Sequence, residues 1–250
     1  MIDENYLHSA ALYDQLNAGM AEGLASRLIS KLDEFDIKIQ SQLLDIGCGT
    51  GTLVNKFSEA GYSVCGIDPS HSMIAQAKTK YPKLEFDVAS PTQFLQQRKF
   101  DLIMSTNDAI NYLLPEELST TMLSIRNGLR DGGFLYVDFT TETDFVENWE
   151  NQRLDTKIDN WQLSRKWNFD PSSYTGTETQ SWSILVDGKK TSFNEIHTLY
   201  PINPVVLADK LKEYGFEPLS FFEPEHMTEP ELDISSYIRL GLLARKSVVE

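Results

Sequence analysis

A short apolar strand that runs directly into a glycine-rich turn constrains this chain more than any other feature. Residues 42–46, QLLDI, predict a buried strand, and the following residues, GCGTG, place glycines at 47, 49 and 51. Apolar residues then recur at helical spacing up to a stop at Gly61. Because glycine adopts positive φ at no cost and lets a ligand approach the backbone, this pattern predicts a ligand-binding turn between a strand and a helix.

The same alternation continues along the first half of the chain. Further strands are predicted at 63–67, 84–88, 100–105 and 134–139, with helices at 70–80 and 115–130, the last of these before the turn Asp131-Gly132-Gly133. Two amphipathic helices, 3–17 and 20–35, precede the first strand. Strands that alternate with helices in this way predict a parallel sheet covered on both faces.

The pattern changes after Asp138, where Trp, Ser and Thr become frequent. Antiparallel strands are predicted at 161–170, 177–186 and 190–199, the last two joined by a hairpin turn at Asp187-Gly188. A helix at 204–214 and strands at 217–222 and 236–246 follow, and these strands could complete the first sheet. The predicted fold class is α/β, a Rossmann-like doubly wound, mostly parallel seven-stranded sheet with an antiparallel lid insertion and N-terminal helices.

We expect one domain over residues 1–250. Its predicted parts are listed in chain order: N-terminal lid helices 1–40, a ligand-binding core 41–140, the lid insertion 141–202 and the C-terminal part of the core sheet 203–250.

Composition and charge limit the partners of this chain. The 250 residues carry a formal net charge of −15, which opposes binding to nucleic acid phosphates. No apolar run reaches the roughly 20 residues of a membrane helix, and the N-terminus lacks the features of a signal peptide. We therefore expect a cytoplasmic protein without nucleic acid or membrane partners. Cys48 and Cys65 give neither a disulfide framework nor metal-ligand spacing, so no metal is expected.

Two acidic residues follow the glycine turn at matching positions of the next strands. The G-x-G-x-G spacing differs from the G-x-G-x-x-G fingerprint of dinucleotide-binding proteins. Asp68 ends the second strand, where a carboxylate can accept hydrogen bonds from both ribose hydroxyls of an adenosine. Asp87-Val88 ends the third strand and could contact the adenine amino group and ring, although an Asp at a strand end is often a helix cap.

The segment LLDIGCGTG at 43–51, together with Asp68 and Asp87, resembles the class I methyltransferases that use S-adenosylmethionine (SAM). The resemblance extends from about residue 6 to the C-terminus. It implies that SAM is the cofactor and S-adenosylhomocysteine the product. The residues expected to contact SAM are Tyr13, Asp45, Gly47, Cys48, Gly49, Thr50, Gly51, Asp68, Pro69, Met73, Asp87, Val88 and Asn107.

The fourth strand and its continuation, FDLIMSTNDAINYL at 100–113, resemble the corresponding motif of members that methylate small molecules. Asn107 and Asp108 fall at the strand end, where such residues could either contact the substrate or cap the following helix. An Asn-Pro-Pro-Tyr quartet, typical of nucleic acid methyltransferases, does not occur there. The insertion resembles that of bacterial small-molecule enzymes, including amine and amino-sugar N-methyltransferases, in which a lid tyrosine covers SAM. Tyr13 is the candidate for that role, with Tyr6 in reserve.

Methyl transfer needs alignment and exclusion of water, and a hydroxyl acceptor also needs a base. Asp108 and His197 are the candidate catalytic residues. On the predicted strand 190–199, Glu195 shares a face with His197 and could orient its imidazole, although such a pair is often structural. Five aromatic residues of the insertion could form an aromatic lid or simply pack the small sheet: Trp149, Trp161, Trp167, Tyr174 and Trp182.

The sequence thus predicts a methyltransferase that acts on a nitrogen or oxygen of a small-molecule acceptor, as a monomer or a homodimer. A SAM-binding or SAM-sensing protein of the same fold without turnover is an alternative, because fold alone does not determine chemistry. A nicotinamide-dependent oxidoreductase is a further alternative, and the spacing of the glycine turn argues against it.

Overall fold

The computed structural model describes residues 6–35, 37–94 and 99–248. Its α-helices are α1 Tyr13–Leu32, α2 Thr52–Glu59, α3 His71–Lys80, α4 Pro91–Phe94, α5 Pro115–Gly128, α6 Glu142–Asn148 and α7 Pro204–Glu213. Its strands are β1 Gln42–Ile46, β2 Ser63–Asp68, β3 Glu85–Val88, β4 Phe100–Ser105, β5 Leu129–Thr140, β6 Arg153–Ile158, β7 Trp161–Asp170, β8 Thr175–Val186, β9 Lys189–Leu199, β10 Phe216–Phe222 and β11 Arg239–Lys246. Short 3-10 helices occupy Asp33–Phe35, Ala109–Tyr112 and Ile234–Ser236.

A seven-stranded sheet with the order β10-β11-β5-β4-β1-β2-β3 forms the centre of the fold. Neighbouring strands from β5 to β3 pair in parallel, whereas β11 pairs antiparallel with both β5 and β10. The predicted α/β fold with a mostly parallel seven-stranded sheet is therefore confirmed. The chain order reverses between β1 and β4, and in open α/β sheets such a reversal places the ligand crevice at the carboxyl ends of those strands.

Apolar side chains bury both faces of this sheet. Leu44, Ile103 and Val137 contribute to the core on one face, and Leu43, Leu102 and Met104 contribute to the core on the other. Helix α1 packs on the second face through its buried residues Leu24, Leu28 and Leu32. Because side chains four residues apart lie above one another on a helix, this stripe explains how a helix before the first strand joins the core.

The N-terminal segment differs from its prediction. In place of the helices 3–17 and 20–35 the structure has a single helix, Tyr13–Leu32, and residues 6–12 form turns. Residues 3–5 lie outside the described part. Contacts to distant parts of the chain override the helical pattern, because the carboxylate of Glu195 accepts hydrogen bonds from the backbone N–H groups of His8 and Ser9 at 2.8 and 3.1 Å.

Other boundaries also differ from the prediction. Helix α6 and strand β6 were not predicted, and the turn predicted at residues 131–133 lies within β5 as an irregularity. The pairing of β5 with β4 shifts register there, and Gly132 adopts a φ of 74°. The extra residues form a bulge, which keeps the strand continuous where a glycine would otherwise suggest an end.

The insertion forms a separate antiparallel sheet with the order β6-β7-β8-β9. Strands β8 and β9 meet at Asp187 and Gly188, both with positive φ, which confirms the predicted hairpin. Leu163, Trp182 and Phe193 on one face of this sheet pack against apolar residues near the start of α1. The insertion therefore lies over the N-terminal segment. The division of the chain into lid, core and insertion segments stays a prediction.

In the described part of the chain, no helix combines the length and apolar composition of a membrane span. Nor do three or more His, Cys, Asp or Glu side chains group in the described residues in a way that could hold a metal ion.

Candidate functional site

The glycine turn follows β1 and is fastened to the end of β2. The backbone N–H groups of Gly47 and Cys48 both donate to the carbonyl of Ile67, at 2.8 and 3.0 Å. Gly47 adopts a φ of 76°, and a Cβ at this position would lie 2.4 Å from the Cβ of Ala109. Glycine is therefore required here both by the backbone conformation and by the close approach of the segment after β4.

Asp68 connects this turn to the start of α3. One carboxylate oxygen accepts a hydrogen bond from the Gly49 N–H at 2.9 Å, and the other accepts from the Ser70 N–H at 2.8 Å. Burial raises the pKa of Asp68, and these two N–H donors partly offset that effect. Each oxygen keeps a second acceptor position, so the geometry is compatible with the predicted contacts to two ribose hydroxyls.

Parallel pairing brings the other predicted cofactor residues to the same sheet edge. Asp87 lies opposite Ile67, and Val88 lies opposite Asp68 in the pairing of β2 with β3. Asp87 is half-buried and Val88 is exposed, so both are accessible from outside, and their contacts to adenine stay a prediction. Asn107 follows the end of β4, two residues before Ala109, whose Cβ approaches Gly47.

Several predicted cofactor residues are not free to use their side chains. Cys48 and Met73 are buried in the protein, at 8% and 1% exposure, so they offer only backbone groups. Asp45 is also buried, and burial together with the charges of Asp68 and Asp138 raises its pKa well above the usual range. Pro69 is exposed beside the turn and has no such restriction.

Thr50 has a role that the sequence did not reveal. Its hydroxyl donates to the carboxylate of Asp14 at 2.5 Å, and the ammonium group of Lys80 pairs with the same carboxylate. These contacts join α1 to the glycine turn and to the end of α3. They hold Tyr13 beside the turn, with its ring edge 3.9 Å from the position of a Cβ on Gly49. Tyr13 therefore lies beside the turn, and its role as a lid over SAM stays a prediction.

The groups at this edge fit SAM by their hydrogen-bonding chemistry. A carboxylate or an amide oxygen stands at the end of each strand from β2 to β4, and SAM offers ribose hydroxyls, an adenine amino group and an α-ammonium group as donors. The amide oxygen of Asn107 is buried and has no hydrogen-bond partner among the described residues. A donor supplied by a bound molecule would satisfy it.

A cavity of about 510 Å³ adjoins this edge, between the ends of β4 and β5, the N-terminal segment and the insertion sheet. Its lining includes Tyr6, Tyr13, Asn107 and Asp108, so the structure brings both predicted tyrosines to the predicted strand end. Three insertion aromatics also line it: Trp149, Trp167 and Trp182. Trp161 instead packs against Trp182, and Tyr174 is 39% exposed.

Arg239 links two carboxylates at the cavity wall, a contact that no local sequence pattern predicts. Its guanidinium donates to Asp138 at 2.6 Å and lies 3.5 Å from Asp108. Burial raises the pKa of Asp108 to about 6, with Arg239 lowering it and Asp138 raising it. Asp108 precedes the 3-10 helix Ala109–Tyr112, but its side chain makes no capping hydrogen bond. The interpretation of Asp108 as a side-chain cap of this helix is therefore wrong, and Asp108 instead lines the cavity.

The raised pKa of Asp108 predicts a pH-dependent cost in stability. A carboxyl group with a folded pKa of about 6 and an ordinary value of 3.8 destabilises the folded state progressively as pH rises between those values. We expect Asp108→Asn to raise the free energy of unfolding by about 1–2 kcal/mol at pH 7.5. Urea unfolding at pH 7.5 and pH 4 would measure this, and the gain should disappear at pH 4. An equal change at both pH values would contradict it.

His197 does not reach the cavity. Its side chain has 0% exposure, and burial lowers its pKa below the usual value. Its Nδ1 lies 3.2 Å from the hydroxyl of Tyr112, and its Nε2 lies 4.0 Å from a carboxylate oxygen of Glu195. Tyr6 and Tyr112 stand between His197 and the cavity, so His197 does not face the acceptor space directly, and its catalytic role with Glu195 stays a prediction.

Comparison with known proteins finds methyltransferases. The family described as a methyltransferase domain matches residues 43–133. A protein of Geobacillus sp. (strain WCH70) that carries a methyltransferase name is 29% identical over 201 residues, which cover 77% of this chain and 81% of that protein. The dTDP-3-amino-3,4,6-trideoxy-alpha-D-glucopyranose N,N-dimethyltransferase of Streptomyces venezuelae is 28% identical over 145 residues, 56% of this chain and 61% of the relative.

A solved structure shows the same fold over almost the whole chain. The S-adenosylmethionine-dependent methyltransferase from Clostridium acetobutylicum ATCC 824 superposes with a TM-score of 0.83 at 19% sequence identity, covering 97% of this chain and 99% of that one. The matching domain, the related sequences and the glycine turn lead to one assignment. Residues 43–133 match a methyltransferase domain, and together with the related sequences and the fold this match supports a class I methyltransferase that uses SAM as its methyl donor.

Proposed function

We propose that this enzyme methylates a nitrogen or oxygen of a small molecule, with an amine as the favoured acceptor. The observation that carries this proposal is the cavity beside the SAM edge. Its volume of about 510 Å³ lies within the range of small-molecule sites, and aromatic side chains together with a few polar groups line it. The lid and the insertion cover this space, which suits a small molecule better than a polymer.

The charges around the cavity favour a cationic or hydrogen-bond-donating acceptor. Arg239 is paired with Asp138 and Asp108, and Arg165 donates to Glu178 at 2.5 Å. The cavity lining carries three carboxylates and two arginines, so its carboxylates outnumber its cations and an amine would complement the lining. The Streptomyces venezuelae relative, named as an N,N-dimethyltransferase of an amino sugar nucleotide, supports an amine.

Two further expectations accompany the proposal. A net charge of −15 opposes a nucleic acid acceptor, since it removes the favourable release of counterions from phosphates. The state of assembly, a monomer or a homodimer, stays a prediction.

In this mechanism the protein supplies alignment and a dry environment. SAM, when bound, provides an electrophilic methyl group on a sulfonium. Asp68 would hold the ribose, and the turn from Gly47 to Gly51 would hold the methionine part through its backbone. Tyr6 and Tyr13 cover the junction between turn and cavity and would exclude water from it. Holding the two reacting atoms in contact distance can supply a large part of the rate enhancement.

Calorimetry and a product assay test the proposal. We expect micromolar binding of SAM and no binding of NAD. Release of S-adenosylhomocysteine would then be measured with four probes: the dTDP-linked 3-amino sugar, its 3-hydroxy counterpart, a DNA duplex and an unstructured peptide. Mass spectrometry should find the added methyl group on a small probe, and the amine–hydroxyl pair separates nitrogen from oxygen methylation. Turnover of only the DNA or the peptide would contradict the proposal.

A further inference from the structure

Four side chains from three distant segments lie in a row behind the cavity. The hydroxyl groups of Tyr6 and Tyr112 lie 2.8 Å apart, and the Tyr112 hydroxyl lies 3.2 Å from His197 Nδ1. On the far side of the ring, His197 Nε2 lies 4.0 Å from Glu195 Oε2. Only the tyrosine end of this line reaches the cavity, since Tyr6 and Tyr112 line it.

The direction of the hydrogen bonds follows from the position of Glu195. His197 Nε2 and Glu195 Oε2 are both buried, and neither has a hydrogen-bond partner among the described residues. The carboxylate attracts the ring proton to Nε2, so Nδ1 becomes an acceptor. Tyr112 then donates to His197, and Tyr6 donates to Tyr112. As a result, the Tyr6 oxygen presents unshared lone pairs to the cavity.

The surroundings suit proton transfer along this line. Burial raises the pKa of Tyr6 and Tyr112, so both keep their protons at neutral pH. Burial lowers the pKa of His197, so it is neutral and able to accept a proton. Glu178 lies directly opposite His197 on β8, and with Glu195 it favours the protonated ring, whereas Arg165 on β7 opposes it.

We propose that Glu195, His197, Tyr112 and Tyr6 form a relay that takes up the proton released by the acceptor during methylation. This rests on the function proposed above. As an electron pair of the nucleophile forms the bond to the methyl carbon, the bond from that carbon to the sulfonium sulfur breaks and its electron pair stays on the sulfur. The N–H or O–H bond of the nucleophile also breaks, and its bonding pair stays on the nucleophile. The proton binds the Tyr6 oxygen, the Tyr6 proton passes to Tyr112, and the Tyr112 proton passes to His197 Nδ1. Tyr6 touches the acceptor, and the other three are positioning residues.

Glu195 also makes the relay dependent on the N-terminal segment. Its second carboxylate oxygen accepts the backbone N–H groups of His8 and Ser9, which fastens the segment that carries Tyr6. The same residue therefore orients the imidazole and holds the first member of the relay in place. The relay is complete only when residues 6–9 are docked.

The first test needs neither SAM nor an acceptor. The chain has four histidines, so a ¹⁵N-histidine-labelled sample gives a simple spectrum in which His197→Asn identifies the signals of His197. At pH 7.5 we expect the neutral ring with its proton on Nε2. A proton on Nδ1 would reverse the hydrogen-bond direction, make Tyr6 a donor toward the cavity, and overturn the proposal. The protonated nitrogen of His197 can be determined in this way even if the enzyme methylates none of the four probes.

The second test is kinetic and uses whichever of the four probes the wild-type enzyme methylates. Tyr112→Phe interrupts the relay, and His197→Asn keeps an oxygen that can accept from Tyr112 but cannot take up a proton. We expect both variants to lower kcat by about a hundred-fold with unchanged SAM affinity. The matched controls are Tyr174→Phe and His226→Asn, which lie outside the cavity lining.

The pH dependence separates the relay from a structural role. His197 in the wild type becomes protonated as pH falls through its lowered pKa, and the relay is then blocked. The difference in kcat between wild type and His197→Asn should therefore shrink at low pH, whereas a structural defect would persist there. Wild-type kcat in both variants at every pH would overturn the relay. Absence of turnover of any probe by the wild type would instead count against the proposed function.

Discussion

Replacing Arg239 with methionine is expected to lower the free energy of unfolding by about 3 kcal/mol at pH 7.5. Arg239 donates to Asp138, whose side chain has 0% exposure, and it also lies beside Asp108. Without the guanidinium, two neighbouring carboxylates would remain in a largely buried site with no cation. The value is at the low end for a buried ion pair, because 23% of the Arg239 side chain is exposed to solvent.

Urea unfolding would measure this effect, and the same strand offers a matched control. Arg245 on β11 pairs with Glu217, but 48% and 55% of these two side chains are exposed. Arg245→Met should therefore change stability by no more than about 1 kcal/mol. Adding Asp138→Asn to the Arg239 variant should restore part of the loss, since it removes one of the unpaired charges. Equal losses in the free energy of unfolding for the two arginine variants would show that burial does not strengthen the Arg239 contact, and would contradict the prediction.

The second large effect concerns SAM. We expect Asp68→Ala to weaken SAM binding by about 2–4 kcal/mol, on the order of a hundred-fold in Kd, because two hydroxyls would lose a charged acceptor. The change also removes the acceptor of the Gly49 and Ser70 N–H groups, which loosens the glycine turn itself.

Calorimetry would measure the affinity, and circular dichroism would establish that the variant is folded. Asp68→Asn keeps one acceptor oxygen and should bind SAM with an intermediate affinity. Asp87→Ala is the matched control on the neighbouring strand, because it would remove a single adenine contact and should cost less than Asp68→Ala. Wild-type affinity in a folded Asp68→Ala protein would exclude the ribose contact.

The sheet and the SAM edge could be predicted because their signals are local in sequence. The strand, the glycine turn and the following helix are contiguous, and Asp68 stands at the end of the very next strand. In each of these elements the local propensity and the hydrophobic pattern of the sequence favour the structure that is observed. Once the strands are known to be parallel, their carboxyl ends must meet at one edge, so the grouping of these residues follows from topology.

The acceptor side could not be predicted, because it is built from contacts between distant residues. Arg239 and Asp138 are separated by 101 positions, and Glu195 is separated from His8 by 187. No spacing rule connects residues so far apart. Strand β6 was not predicted because it is an edge strand whose residues are mostly exposed, so its sequence lacks the alternation of apolar residues that marks a strand.

The N-terminal segment is fastened at two places that belong to different parts of the protein. Glu195 of the insertion sheet holds His8 and Ser9, and the glycine turn and α3 hold Asp14 through Thr50 and Lys80. We therefore expect exchange of methyl donor for spent product to need local opening of this segment, and we expect turnover to depend on how often it detaches. Because the pair of Asp14 and Lys80 is partly exposed and is therefore screened by salt, we expect added salt to speed the opening.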